Sequence, residues 1–137
     1  MKKIVIGYDA SPESERALER TAELAKAFDA EVLVASISPA LTPAAHGVGP
    51  YDPADPPDEH RAQAVAAARK LTDLGISAER VTGVGDPGES IVQLARVRKA
   101  DLIVVGGRDL GAISRLLGQS VSDDVAHHAS CDVLIVH

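Results

Sequence analysis

The chain has 137 residues, 20 of them acidic and 14 basic, for a net charge of −6. That length is enough for one domain with one hydrophobic core. The acidic balance, the absence of Trp and an aromatic content of 2% argue against a phosphate-binding footprint or a base-stacking platform for nucleic acid, and against an anionic membrane surface. With so few rings the core has to be built from Ala, Val, Leu and Ile, which suits helices packed closely on a sheet.

Lys3–Tyr8 reads as a buried strand, with Ile4, Val5 and Ile6 stopping at Gly7. Ser11 is a good helix N-cap and Pro12 fits the first helical position, where its missing N–H costs nothing. The helix that follows carries an apolar stripe at 17, 18, 21, 24, 25 and 28, with Thr21 tolerated, and charges on its other face. Glu31–Ile37 is a second strand whose continuous Val32-Leu33-Val34 run fits a parallel strand buried on both faces. Ser38 to Asp58 is rich in proline, including PYDPADPP, and reads as an inserted surface loop; the functional alternative is a lid over a ligand.

Helical periodicity resumes over Asp58–Leu74 through Val65, Ala68 and Leu71, with Gly75 as a natural C′ residue. Ile76–Val84 is a weaker strand. Asp86-Pro87-Gly88-Glu89 forms a capping box opening a helix that buries Ile91, Leu94 and Ala95 and ends in Arg96, Arg98 and Lys99. The stretch from Asp101 to His137 then runs strand (Leu102–Val105), Gly106-Gly107, a loop with further glycines at 111 and 118, the hydroxyls Ser120 and Ser122, a helix, and a last strand over Val133–Val136.

Strands alternating with helices imply a doubly wound parallel α/β sheet in one domain over 1–137, with right-handed crossovers and helices on both faces. Ligands of such sheets bind beyond the C-terminal strand ends, where strand order reverses. Gly7-Tyr8-Asp9 and Gly106-Gly107 would meet there. Asp9 has three readings: a hydrogen-bond partner for ribose hydroxyls, a phospho-accepting nucleophile, or a shaper of the strand-to-helix turn. Ser11 stands where phosphotransfer enzymes usually keep a second aspartate, which weakens the nucleophile reading. The glycines serve close approach to a sugar or phosphate, or a tight turn. Ser120-x-x-Asp123 is a complete capping box, and a phosphate at that helix start would take the same N–H groups.

Cys131, the single cysteine, reads as a small residue entering a buried strand rather than a reactive thiol. The histidines form no metal set: His127 and His128 point about 100° apart on a helix, and His46 and His60 flank the proline-rich loop. Catalysis has no strong candidate. No apolar stretch approaches the ~20 residues of a membrane span, so the expected compartment is the cytoplasm.

IVIGYDASPESERALERTAELAK near the start and ADLIVVGGRDLGAISRLLGQSVSDDVAHHASCDVLIVH at the end resemble the universal stress protein family, over essentially the whole chain except the proline-rich loop. The resemblance implies a five-stranded parallel sheet in the order 3-2-1-4-5. It also implies a homodimer paired through antiparallel contact of the last strands, here Val133, Leu134, Ile135 and Val136. An unpaired apolar edge strand is a liability, which agrees with a dimer. Members that bind ATP carry G-x-x-G, nine residues, then G-S or G-T. Ungapped alignment makes Gly106 the first glycine, puts Asp109 at the second and Gln119 at the third, and matches Ser120 to the hydroxyl. Asp109 sets a carboxylate where phosphates pass, at about 1 kcal/mol in water at about 4 Å and more when desolvated. Asp9, Ile37 and Gly106 match the positions that hold ribose and adenine. With Gly7, Tyr8, Gly107, Asp109, Gln119, Ser120, Val121 and Ser122 they make the nucleotide-binding set if binding is retained. The first expectation is therefore a dimeric, non-enzymatic stress-response module acting through protein contacts, with a degraded ATP loop and no required cofactor. The alternative is a member that binds an adenine nucleotide, AMP or ATP, and senses it.

Overall fold

The computed structural model describes residues 1–39, 57–107 and 121–137. Five strands form one parallel sheet: β1 Lys3–Gly7, β2 Glu31–Pro39, β3 Ala78–Gly85, β4 Leu102–Gly106 and β5 Asp132–Val136, in the order β3-β2-β1-β4-β5. Among the described residues four helices lie between them: α1 Pro12–Phe28, α2 Pro57–Asp73, α3 Pro87–Arg98 and α4 Val121–His128. The expected strand order and the helices on both faces are what is observed. No helix of the described residues is long and apolar enough to cross a membrane.

Alternation of side chains divides the core into two layers. Ile4, Ile6, Val32, Val34, Leu102 and Val104 pack with Ala17, Leu18, Ala22 and Ala25 of α1 and Ala64, Ala67 and Leu71 of α2. Val5, Leu33, Ala35, Ile103 and Val105 pack with Ile91, Val92 and Ala95 of α3 and Val125 of α4. The three central strands are thus buried on both faces, and their unbroken Val/Ile/Leu runs follow from that.

Local chemistry sets the helix starts as expected. Ser11 caps α1, its Oγ accepting from the Ser14 N–H at 3.2 Å, with Pro12 in the first turn. Asp86 caps α3 by accepting from the Glu89 N–H at 3.0 Å. Gly75 takes a left-handed φ of +80° after α2.

Three expectations need correcting. The α1 stripe takes in Ala22 and leaves Phe28, in the last turn, 52% exposed. On α2 the buried stripe is His60, Ala64, Ala67 and Leu71, while Val65 is exposed. And β2 runs past Ile37 to Pro39, because β3 keeps pairing with it: Ser36↔Thr82, Ile37↔Gly83, Ser38↔Val84 and Pro39↔Gly85. On its other side β2 pairs with β1 only as far as Gly7↔Ala35. The β2–β3 ribbon therefore stands above the ends of β1 and β4, as one wall of a step.

Candidate functional site

At the foot of that step the chain leaves β1 through Tyr8, Asp9 and Ala10. Tyr8 continues the sheet with its N–H on the Ala35 carbonyl at 2.9 Å. Its buried ring turns toward α1, where the hydroxyl donates to the Glu15 carboxylate. Glu15 also accepts from Lys70 of α2 at 2.9 Å. Burial, then the Glu15 carboxylate, pushes the Tyr8 phenol well above the usual phenol range, so it stays a donor. The bonds from Tyr8 and Lys70 in turn hold Glu15 below the usual carboxylate range.

Asp9 shapes the turn. Its Oδ1 accepts from the Ser11 N–H at 3.0 Å, spanning Ala10, which takes a positive φ of 63°. Alanine rarely adopts that conformation, which costs on the order of 1 kcal/mol, and the Asx turn stabilises it. The turn-shaping reading of Asp9 thus describes a contact the molecule makes; the ribose reading shares the same strand end.

The glycines have packing reasons of their own. A Cβ on Gly106 would stand 2.8 Å from the carbonyl carbon of Glu13 and 2.9 Å from the Ser14 nitrogen, so the first turn of α1 rests directly on the end of β4. A Cβ on Gly7 would meet Ile91 Cδ1 at 2.7 Å. One on Gly107 would meet the imidazole of His137, with Nδ1 at 2.7 Å and Cε1 at 2.8 Å. Glycine at these strand ends lets helices and a ring close in on the backbone.

Across the step, Ile37 lies on the α3/α4 side of β2, with its Cδ1 over Gly83. Val121 and Ser122 open α4, Val121 exposed and Ser122 buried. The structure thus brings Gly7, Tyr8, Asp9, Ile37, Gly106 and Gly107 to the C-terminal end of the sheet, and α4 starts there with Val121 and Ser122. Asp109, Gln119 and Ser120 lie outside the described residues, as does most of the proline-rich segment with His46. The helix N-termini at this end carry acidic residues: Glu13 and Glu15 on α1, Glu89 after the Asp86 cap on α3, and Asp123 and Asp124 on α4. Carboxylates there favour the helix dipoles.

His60, in the first turn of α2 beside the proline-rich segment, is also buried. It is 4% exposed, with Nδ1 3.0 Å from the Ser36 Oγ beneath the β2–β3 ribbon. The spacing 60, 64, 67, 71 carried the signal, hidden by a polar residue at its head. Cys131 is partly buried against the second core layer, and burial pushes its thiol up, as the structural reading expects. β5 forms the sheet edge beyond β4, and Val133, Leu134, Ile135 and Val136 are each only half-buried there.

The model of the universal stress protein family matches residues 1–137. A universal stress protein of Methanocaldococcus jannaschii is 35% identical over 141 residues, spanning 98% of this chain and 81% of the relative. Among solved structures, a universal stress protein in complex with cAMP is 33% identical, covers 99% of this chain and 96% of that one, and superposes with a TM-score of 0.74. One from Archaeoglobus fulgidus in complex with dAMP is 24% identical, covers 100% and 98%, and reaches 0.76, a likeness of fold.

Proposed function

This chain belongs to the universal stress protein family, and on that premise we propose that it is a binding module that takes an adenine nucleotide with a short phosphate chain, such as AMP, at the C-terminal ends of β1, β2 and β4. The observation that carries the reading is the step itself. Asp9, Ile37 and Gly106, scattered through the sequence, converge where β2 rises above β1 and β4. The 33% identical relative that holds cAMP supports an adenine nucleotide over other anions. The preference for few phosphates is argued from charge: the carboxylates at the helix starts, and Asp109 in place of the family's glycine, both oppose a polyphosphate.

The module is read as non-catalytic, its output being contact with other proteins. Asp9 has one carboxylate oxygen in its turn, and Ser11 stands where phosphotransfer would use a second carboxylate. Assembly is proposed as a homodimer through β5, supported by an apolar strand at the sheet edge whose residues 133–136 are half-buried in the single chain. Sedimentation of the purified protein should give a dimer; a monomer at high micromolar concentration refutes this part.

Titration calorimetry tests the ligand. AMP should bind with micromolar affinity, ATP more weakly, and Asp9→Ala should weaken AMP about tenfold or more through loss of a charged hydrogen-bond acceptor. Absence of heat with AMP, cAMP, ADP and ATP at millimolar concentration overturns the nucleotide reading and leaves the protein-contact module without a ligand.

A further inference from the structure

Resting on the nucleotide reading, we infer that His137, held beside Arg16, supplies a side-chain contact to the phosphate of the bound nucleotide. The imidazole of His137 covers Gly107 so closely that a Cβ there would lie 2.7 Å from Nδ1. Gly107 is the residue at which the chain leaves β4, and its N–H is held on the Val136 carbonyl at 2.7 Å. The ring therefore lies at the strand end where the candidate site opens, and His137 is exposed. Arg16 comes across from α1, its Nε donating to the His137 carbonyl at 3.1 Å. Its guanidinium is half exposed, 3.8 Å from Glu13.

Charge gives such a pair a role. A phosphomonoester brings about −1.5 to −2 charges at neutral pH, into an end of the molecule where the first turns of α1, α3 and α4 carry carboxylates. On the β4–β5 side of that end, among the described residues, the side chains able to carry positive charge are Arg16 and His137. Both bear on Gly107 and its neighbours, one through the ring and the other through the carbonyl. Neither was singled out in the sequence, because they stand 121 positions apart and meet only through the final strand.

Calorimetry with AMP and with adenosine, which lacks the phosphate, separates this contact from the rest of the site. The protein should bind AMP more tightly than adenosine. His137→Ala should weaken AMP about three- to tenfold, the range of a partly exposed ion pair to a charge-assisted one, with adenosine unchanged. His137→Lys should restore AMP binding by placing a charged donor at the same place. Equal AMP affinity in His137→Ala and the unaltered protein overturns the inference. So does a parallel loss of AMP and adenosine, which would mean that the ring only packs on Gly107, and so does an unaltered protein that binds the two equally. If that protein binds neither, the nucleotide reading itself has failed and this inference falls with it.

Discussion

At the N-terminal ends of the strands, charged side chains close off backbone and one another in a short network, whereas at the C-terminal ends close-packed glycines, helix-start carboxylates and a strained alanine shape the chain. Asp101 accepts from the N–H groups of Lys2 and Lys3 at 2.8 and 3.0 Å. Lys3 bridges the Arg98 carbonyl at 3.1 Å and Glu31 at 3.0 Å, and Arg98 holds Glu79 through both nitrogens. Left-handed residues at that end, Asp29 and Lys99, are helix C-caps whose N–H groups bond back into the last turn. Ala10, the left-handed residue at the other end, terminates no helix. It redirects the chain so that Asp9 and the start of α1 meet beside Gly106. One end is organised to be stable and the other to hold groups in place at some cost in stability.

The largest effect should come from Gly106→Ala. The added carbon would lie 2.8–2.9 Å from backbone atoms of Glu13 and Ser14, which no side-chain rotation can relieve, so α1 has to shift off β4. Overpacking of this kind costs about 1–3 kcal/mol, read as a lower urea midpoint, and AMP binding should fall with it. At the opposite end Gly75→Ala meets nothing within 4 Å and carries only the left-handed φ of +80°, at about 1 kcal/mol, with AMP binding unchanged. Equal losses in the two variants would break the contrast between the ends.

The contrast also explains how far the sequence could be read. Strands β1, β2 and β4 are buried on both faces, so their runs of Val, Ile and Leu mark them without ambiguity, and Ser11-Pro12 and Asp86-Pro87 mark the starts of α1 and α3 by local chemistry alone. The α2 register was missed because Ala64 and Ala66-Ala67-Ala68 offer small apolar residues on several sides. Periodicity could not choose among them, and a histidine heads the correct stripe. β3 was weak because it is an edge strand, with Glu79, Thr82, Gly83 and Val84 exposed. At the site, Asp9, Ile37 and Gly106 were found through family resemblance and the rule of strand ends. Composition could not show that Gly106 also serves the packing of α1, or that His137 covers Gly107, since both contacts exist only after the sheet has closed.

The smallest effect, and the sharpest on the stable end, concerns Asp101. The N–H groups of Lys2 and Lys3 hold its carboxyl below the usual carboxylate range. A depressed carboxyl contributes stability that is present above its unfolded value, about pH 4, and is lost as pH falls through the lower folded value. Asp101→Asn removes the titration, so its stability should follow pH less steeply than that of the unaltered protein on the acid side. The difference between the two should be full near neutrality and shrink below about pH 4. Urea midpoints taken across that range check the sign, and a difference that widens on acidification would be the wrong one. AMP affinity at neutral pH should be the same in both proteins, because Asp101 stands at the far end of β4 from Gly106. A change in AMP binding would show that the two ends are coupled through β4, and the division of labour between them would have to be given up.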